Sequence, residues 1–183
     1  MIDTARLVLR PWQPSDREPF AQMNADPRVM EFFPAALTVG ESNSLVDKIE
    51  AHFHRHGFSL WALEERSMGA FLGFAGLAHV PFEAHFTPAV EIGWRLAHSA
   101  WNRGFATEAA RAAVQHGFTA LGLDQIVAFT VPANTRSRHV MDKLGMTHDI
   151  AGDFNHPRLA VGHPLRPHLL YRLRRGLEQF RTS

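Results

Sequence analysis

The residues best suited to chemistry lie in two adjoining strings, Glu91-Ile-Gly-Trp-Arg-Leu96 and His98-Ser-Ala-Trp-Asn-Arg-Gly-Phe-Ala-Thr-Glu-Ala109. Their order reads as a strand, a short turn containing Gly104, and the start of a helix. That arrangement suits a phosphate group. The first turn of a helix carries unpaired N–H groups, and its dipole places partial positive charge there. A pyrophosphate can accept several of those hydrogen bonds at once. Gly104 has no Cβ to hold the backbone away from a ligand, and Ala106 is the next smallest choice. Arg103 adds charge, and the Thr107 hydroxyl adds a donor. An ordinary helix cap would show the same glycine, so this string alone leaves cap and phosphate site both open.

The surrounding elements must hold these strings in place. Residues 5–10 alternate apolar and charged side chains and predict a strand, closed by Pro11 and Pro14. Ser15 is placed to cap a helix running to about Asn24, with Asp16 and Glu18 in its first turn. Leu45, Ile49 and Phe53 recur every four residues, which predicts a helix over 40–56 ended by Gly57. Strands are predicted over 59–64, 70–79, 89–96, 125–131 and 168–174, with a short one near 146–150. Helices are predicted over 106–121 and 135–144, stopped near Gly122 and Gly145. A run of neighbouring strands followed by alternating helices and strands points to a mixed α/β sheet.

The chain has 183 residues, which suits one domain over 1–183. Folding at this size buries roughly 70% of the unfolded surface, so the core needs no covalent staples. The absence of cysteine excludes disulfides, thiolate metal sites and a cysteine nucleophile. A formal net charge of +1 argues against non-specific nucleic-acid binding. No apolar run approaches bilayer length. Residues 1–6 lack a basic region followed by an apolar one. A cytoplasmic protein without nucleic-acid or membrane partners is therefore expected. The 12 histidines make its charge sensitive to pH between about 5 and 7.

Trp101-Asn-Arg-Gly104-Phe-Ala106 resembles the (Gln/Arg)-x-x-Gly-x-(Gly/Ala) coenzyme A loop of the GNAT N-acetyltransferase superfamily. The fuller string from Trp101 to Ala109 is similar to the branch containing the ribosomal-protein-alanine N-acetyltransferases, which often has Trp in place of Gln or Arg. Thr4-x-Arg6-Leu-x-Leu-Arg10 and Asp26-Pro-x-Val29-Met resemble that branch's opening. Asn134-x-x-Ser137-x-x-Val140-x-x-x-Leu144-Gly-Met146 resembles its second cofactor segment, and residues 162–172 resemble its C-terminal part. The resemblance implies a single-domain GNAT fold: a mixed, twisted sheet of six to seven strands, helices on both faces, and a splayed pair of central strands. It implies acetyl-CoA as co-substrate, no metal, and an amine acceptor that attacks directly, either a small molecule or a protein N-terminus. Monomer and homodimer both remain open. It further implies that the pantetheine arm lies between the splayed strands and pairs with the backbone of Trp94, Arg95 and Leu96. Trp101, Asn102, Arg103, Gly104, Phe105, Ala106 and Thr107 would then hold the pyrophosphate, and Asn134 would bond the arm. Asn134 also fits a helix cap, and both roles can hold together.

Acyl transfer from a thioester to an amine needs a base for the amine, donors for the oxyanion, and a proton or dipole for the leaving thiolate. The resemblance places Glu91 beside the thioester as the base, directly or through water. A structural carboxylate is the competing role. Glu108, at the helix start, reads as structural. The tyrosine that many GNAT enzymes use as acid is replaced by Met141, and Tyr171 reads as structural. Ser137 is the candidate donor to sulfur, against a plain serine of the helix start. The missing tyrosine leaves a second reading, an acyl-CoA sensor without catalysis. His52 and His56 share a helix face as metal ligands can, yet no third ligand is evident, so a solvated face is expected. The resemblance implies that Phe32-Phe33-Pro34 overhangs the acceptor amine, with core packing as the competing role, and the loop with His156, His163 and His168 either borders the acceptor site or is a rigid connection.

Overall fold

The computed structural model describes residues 1–176. The alternating N-terminal segment forms β1 (Ile2–Asp3) and β2 (Leu7–Arg10). Then come α1 (Arg17–Ala25), α2 (Val39–His56), β3 (Leu60–Glu65), β4 (Ala70–His79) and β5 (Val90–Leu96). The second half holds α3 (Phe105–Thr119), β6 (Gln125–Thr130), α4 (Thr135–Lys143), β7 (Thr147–His148), β8 (Phe154–Asn155) and β9 (Pro167–Arg174). The sheet runs β1-β2-β3-β4-β5-β6-β9-β7, with β8 on β9. The sequence predicts six to seven strands, and nine form. β1, β7 and β8 are two residues each, and β1 and β8 lie where no periodicity could show.

Side-chain alternation explains the layers. Leu77, Ile92, Ile126 and Leu173 project to one face and meet Ala109, Ala110, Ala113 and Val114 of α3. The alanines bring that helix close to the sheet. Ala62 and Phe74 project to the other face and pack with Phe20, Met23, Val46 and Ile49 of α1 and α2. A smaller cluster of Phe86, Val127 and Leu170 lies on the sheet near β8 and β9. Helices therefore cover both faces. None among the described residues is long and apolar enough to cross a membrane.

Two local devices differ from the simplest reading of the sequence. Ser15 does not cap α1. It lies inside a 3-10 turn, Pro14–Asp16, and the buried Asp16 closes that turn by accepting from the Gln13 N–H at 2.8 Å. Asp16 is drawn inward by Arg10, whose guanidinium donates to both its oxygens at 2.7 and 2.9 Å. A buried charge needs a partner of this kind, and that need outweighs the local preference for serine. The other device is Gly73. A Cβ there would stand 2.1 Å from the Arg95 carbonyl oxygen, so glycine lets β4 lie against β5.

Candidate active site

Among the described residues β5 and β6 are the only parallel neighbours in the sheet, and they pair at a single register position, Glu91 with Val127. Beyond it the strands part. Residues from Trp94 to Leu96 pair with β4 on one side and have no β6 partner on the other. The expected splay is present. It opens into a cleft of about 640 Å³.

The end of the cleft is built by the turn after β5. The Trp101 indole N–H donates to the Leu96 carbonyl at 2.9 Å and folds the turn back on the strand. Asn102 (φ 58°) and Gly104 (φ 79°) take left-handed conformations, and α3 begins at the next residue. Such a turn leading into a helix directs several N–H groups into one concavity. The N–H groups of Phe105, Ala106 and Thr107 lie in the first helical turn, where no intrahelical acceptor exists. The loop is braced from behind: Arg6 donates to the Arg103 carbonyl at 2.9 Å. Glu108 holds that brace, accepting from Thr4 Oγ1 and Arg6 Nε, each at 2.7 Å. This is the structural role expected for Glu108.

The opposite wall is α4 with the segment between α1 and α2. Asn134 caps α4: its Oδ1 accepts from the Ser137 N–H at 3.1 Å, and its Nδ2 donates to Thr130 Oγ1 at 3.1 Å. Arg136 reaches across from α4. Its guanidinium lies 4.6 Å from the Trp101 ring and 5.5 Å from the Phe32 ring, and it pairs with Glu31. His139, Val140 and Lys143 continue the wall, and Val29, Phe32 and Phe33 close it. Among the described residues the lining thus includes Arg95, Arg136 and Lys143 and no carboxylate. With helix N-termini at both ends, such a cleft favours an anionic occupant.

Of the residues singled out from the sequence, the cleft gathers Trp94, Arg95, Leu96, Trp101, Asn102, Gly104, Phe105, Ala106, Thr107, Asn134 and Ser137. Arg103 and Glu91 do not line it. The Arg103 guanidinium is held by Glu65 at 2.8 Å and lies over Phe105. Glu91 sits at the rung where β5 and β6 still pair, half-buried, on the strand face it shares with Gly93 and Arg95. Burial pushes its carboxyl up to about 8. Tyr171 is buried, stacks on His148 and accepts from Arg138, and Met141 is core. The residues missed by sequence reading are Arg136, His139 and Lys143. Their spacing of three and four along α4 places them on one face, and that signal was readable.

Two histidine groups also form. His79 of β4 joins His52 and His56, giving three imidazoles whose nitrogens lie within 4.8 Å of one another. His156 and His168, with rings 5.1 Å apart, pack among Phe82, Phe129 and Phe154. Desolvation lowers the pKa of both.

Comparison with known proteins agrees with this geometry. The family described as "Acetyltransferase (GNAT) domain" matches residues 6–147. The FsC-acetyl coenzyme A-N(2)-transacetylase of Aspergillus fumigatus is 31% identical over 158 residues, covering 80% of this chain and 65% of its own. The crystal structure of an acetyltransferase from Agrobacterium tumefaciens superposes with a TM-score of 0.77 at 27% identity, over 94% of this chain and 92% of that one. RimJ of Mycobacterium smegmatis, solved with CoA-disulfide, gives 0.73 at 25% identity, over 92% and 82%. The splayed strands, the turn into α3 and the match over 6–147 agree: the chain belongs to the GNAT acetyltransferase family.

Proposed function

We propose that this protein transfers an acetyl group from acetyl-CoA to an amine by direct attack. The observation that carries the reading is the carboxylate-free cleft between β5 and β6, ending on the first turn of α3. Its unpaired N–H groups would hold the pyrophosphate, and the free edge of Trp94–Leu96 would pair with the pantetheine arm as an added strand does. In the reaction the amine nitrogen attacks the thioester carbonyl and the C–S bond breaks. The amine proton passes to Glu91, directly or through water. The thiolate leaves with the Ser137 hydroxyl in the cleft donating a hydrogen bond to its sulfur, and it takes a proton from solvent to become the CoA thiol. Names among the relatives support donor and acceptor class alike: the Aspergillus enzyme is an acetyl coenzyme A transacetylase acting at a nitrogen.

The first test is binding. A ligand of the native state stabilises it by about 2.7 kcal/mol at 100 times its Kd. For a domain of this size that is a rise in Tm of roughly 5–10 °C. Absence of any shift at millimolar acetyl-CoA removes the proposal. The buried Met141, where many relatives carry a tyrosine, favours the rival reading of a sensor without catalysis. Release of free thiol from acetyl-CoA with a panel of amines separates the two.

A further inference from the structure

Arg95 stands apart from the other deeply placed arginine. Arg10 is met by two carboxylates, Asp16 and Glu64. Among the described residues Arg95 is met by none. Its Nη1 donates to Asn24 Oδ1 at 2.7 Å, and its Nε is buried without a partner. The guanidinium plane is fixed by aromatic rings, with Phe33 at 4.0 Å and Phe74 at 5.6 Å. Asn24 is itself fully buried and held by Ser42 at 2.9 Å. Desolvation lowers the guanidinium's pKa to about 10. A cation taken out of water without a counter-ion is costly, and one amide oxygen and two aromatic rings offset only part of that cost. The side chain lines the cleft and shares a strand face with Gly93 and Glu91. A Cβ at Gly93 would find only Leu60 Cδ2, at 3.9 Å, so the floor between Glu91 and Arg95 is open.

We propose that Arg95 receives a carboxylate of the acceptor, which is therefore an amine that also carries a carboxylate, of the amino-acid class. This rests on the acetyl-transfer reading above. The acceptor's amine lies over Gly93 toward Glu91, and its carboxylate meets the guanidinium edge of Arg95 that Asn24 leaves free, in a charge-assisted hydrogen bond. The test compares matched pairs: leucine with 3-methylbutylamine, phenylalanine with phenethylamine, and 6-aminohexanoate with pentylamine. Thiol release from acetyl-CoA is measured for the parent, Arg95→Gln and Arg95→Lys. The parent should show kcat/KM at least about tenfold higher for one or more carboxylate members over their twins, chiefly through KM. Arg95→Gln should bring that ratio near one, and Arg95→Lys should restore part of it. A merely structural arginine would lower both members of a pair together. Acetyl-CoA that raises Tm while no carboxylate member is preferred, or a preference that survives Arg95→Gln, overturns the proposal and leaves the transfer reading standing. An Arg95-dependent preference for succinyl-CoA over acetyl-CoA places the carboxylate on the acyl group and also overturns it. No acetyl-CoA binding at all defeats both.

A separate cluster lies where the end of α2 meets the end of β4. His52 Nδ1 is 2.8 Å from the Phe58 carbonyl, which can only accept, so the proton sits on Nδ1 and Nε2 presents its lone pair. That Nε2 lies 3.3 Å from His79 Nδ1. Two nitrogens on one tetrahedral zinc are separated by about 3.3–3.4 Å. His56, one turn after His52, lies tilted against both rings with centroids 4.5 Å away. The His79 backbone N–H now bonds to His52 Nε2 at 3.2 Å, a contact that a metal would replace. We infer that His52, His56 and His79 form a three-imidazole site for a divalent transition metal of the zinc or nickel class, away from the cleft. Zn²⁺ and Ni²⁺ alone, titrated calorimetrically into the intact protein, should bind one per chain in the micromolar range. His79→Ala and His56→Ala should each weaken binding at least tenfold without lowering the metal-free Tm. Equal binding by the variants, or none below about 100 μM metal, overturns the site.

Discussion

Glu91→Gln is expected to lower kcat by at least about 100-fold, because general base catalysis typically supplies about 100- to 10,000-fold. The amide keeps the shape of the side chain and removes its basicity. Burial holds the carboxyl at about 8, well above its ordinary 4.5, and no neighbouring charge contributes. A base of that strength is matched to an ammonium proton, and it is largely protonated at neutral pH. The parent's rate should therefore climb with pH up to about 8. The variant should lose that inflection and recover only as the free amine itself becomes abundant. Stability runs the other way. A carboxyl whose folded pKa is raised favours the fold below about 4.5 and costs it stability as pH rises to about 8. Glu91→Gln should therefore melt no lower than the parent at pH 8. The checks are pH–rate profiles of both proteins with a confirmed acceptor, and melting curves at the same pH values. Near-normal kcat sinks the assignment. Equal loss at every pH with a lowered Tm marks Glu91 as a structural carboxylate.

The second large effect is at Gly104. Gly104→Val should weaken acetyl-CoA binding on the order of 100-fold, the loss of about two charge-assisted hydrogen bonds. The φ of 79° adds a cost that the sequence does not reveal. An L-residue in that region costs roughly 1–2 kcal/mol, and a β-branched one fits it worst. Space on the protein side is not the obstacle, since the added Cβ would meet only Arg6 Nη2, at 3.3 Å. Gly104→Asn separates the two effects, because asparagine tolerates a left-handed backbone. It should melt near the parent yet bind acetyl-CoA as poorly as the valine variant. Titration of acetyl-CoA into all three proteins gives the answer. Undiminished affinity in Gly104→Asn would show that the turn is only a helix cap.

The long elements were legible because their periodicities are local. Leu45, Ile49 and Phe53 mark α2, and the alternation of β2 and the glycines at 57 and 145 mark elements and ends that the structure keeps, while α3 stops at Thr119, two residues before the expected end. The turn from Leu96 to Phe105 was legible because a phosphate site written on a helix start is contiguous in sequence. What could not be read depends on partners far apart in the chain. His79 lies 23 residues beyond His56, on another element, so the two-histidine pattern looked like a solvated face. Arg103 was assigned to the phosphate by its place in the string, but Glu65, on β3, holds its charge. Arg95 was named for its backbone. That its side chain is stacked, desolvated and without a carboxylate is a fact of three elements meeting. Asp16 in place of Ser15 is the same lesson at short range: the decisive neighbour, Arg10, sits across a turn.

The lone rung between Glu91 and Val127 also has a mechanical meaning. The strands divide into two panels, β1 to β5 and β6 to β9, whose backbones are stitched at one rung and whose side chains meet through α3 and through the cluster of Phe82, Phe86, Phe129 and Phe154. The seam therefore carries one backbone rung where each panel carries many. A pantetheine arm laid in the seam would act as the missing stitches, so that the thioester and the two panels become one stiff body only when the donor is aboard. The acceptor would then meet a floor that the bound donor completes, so the expected order of arrival is donor first, amine second.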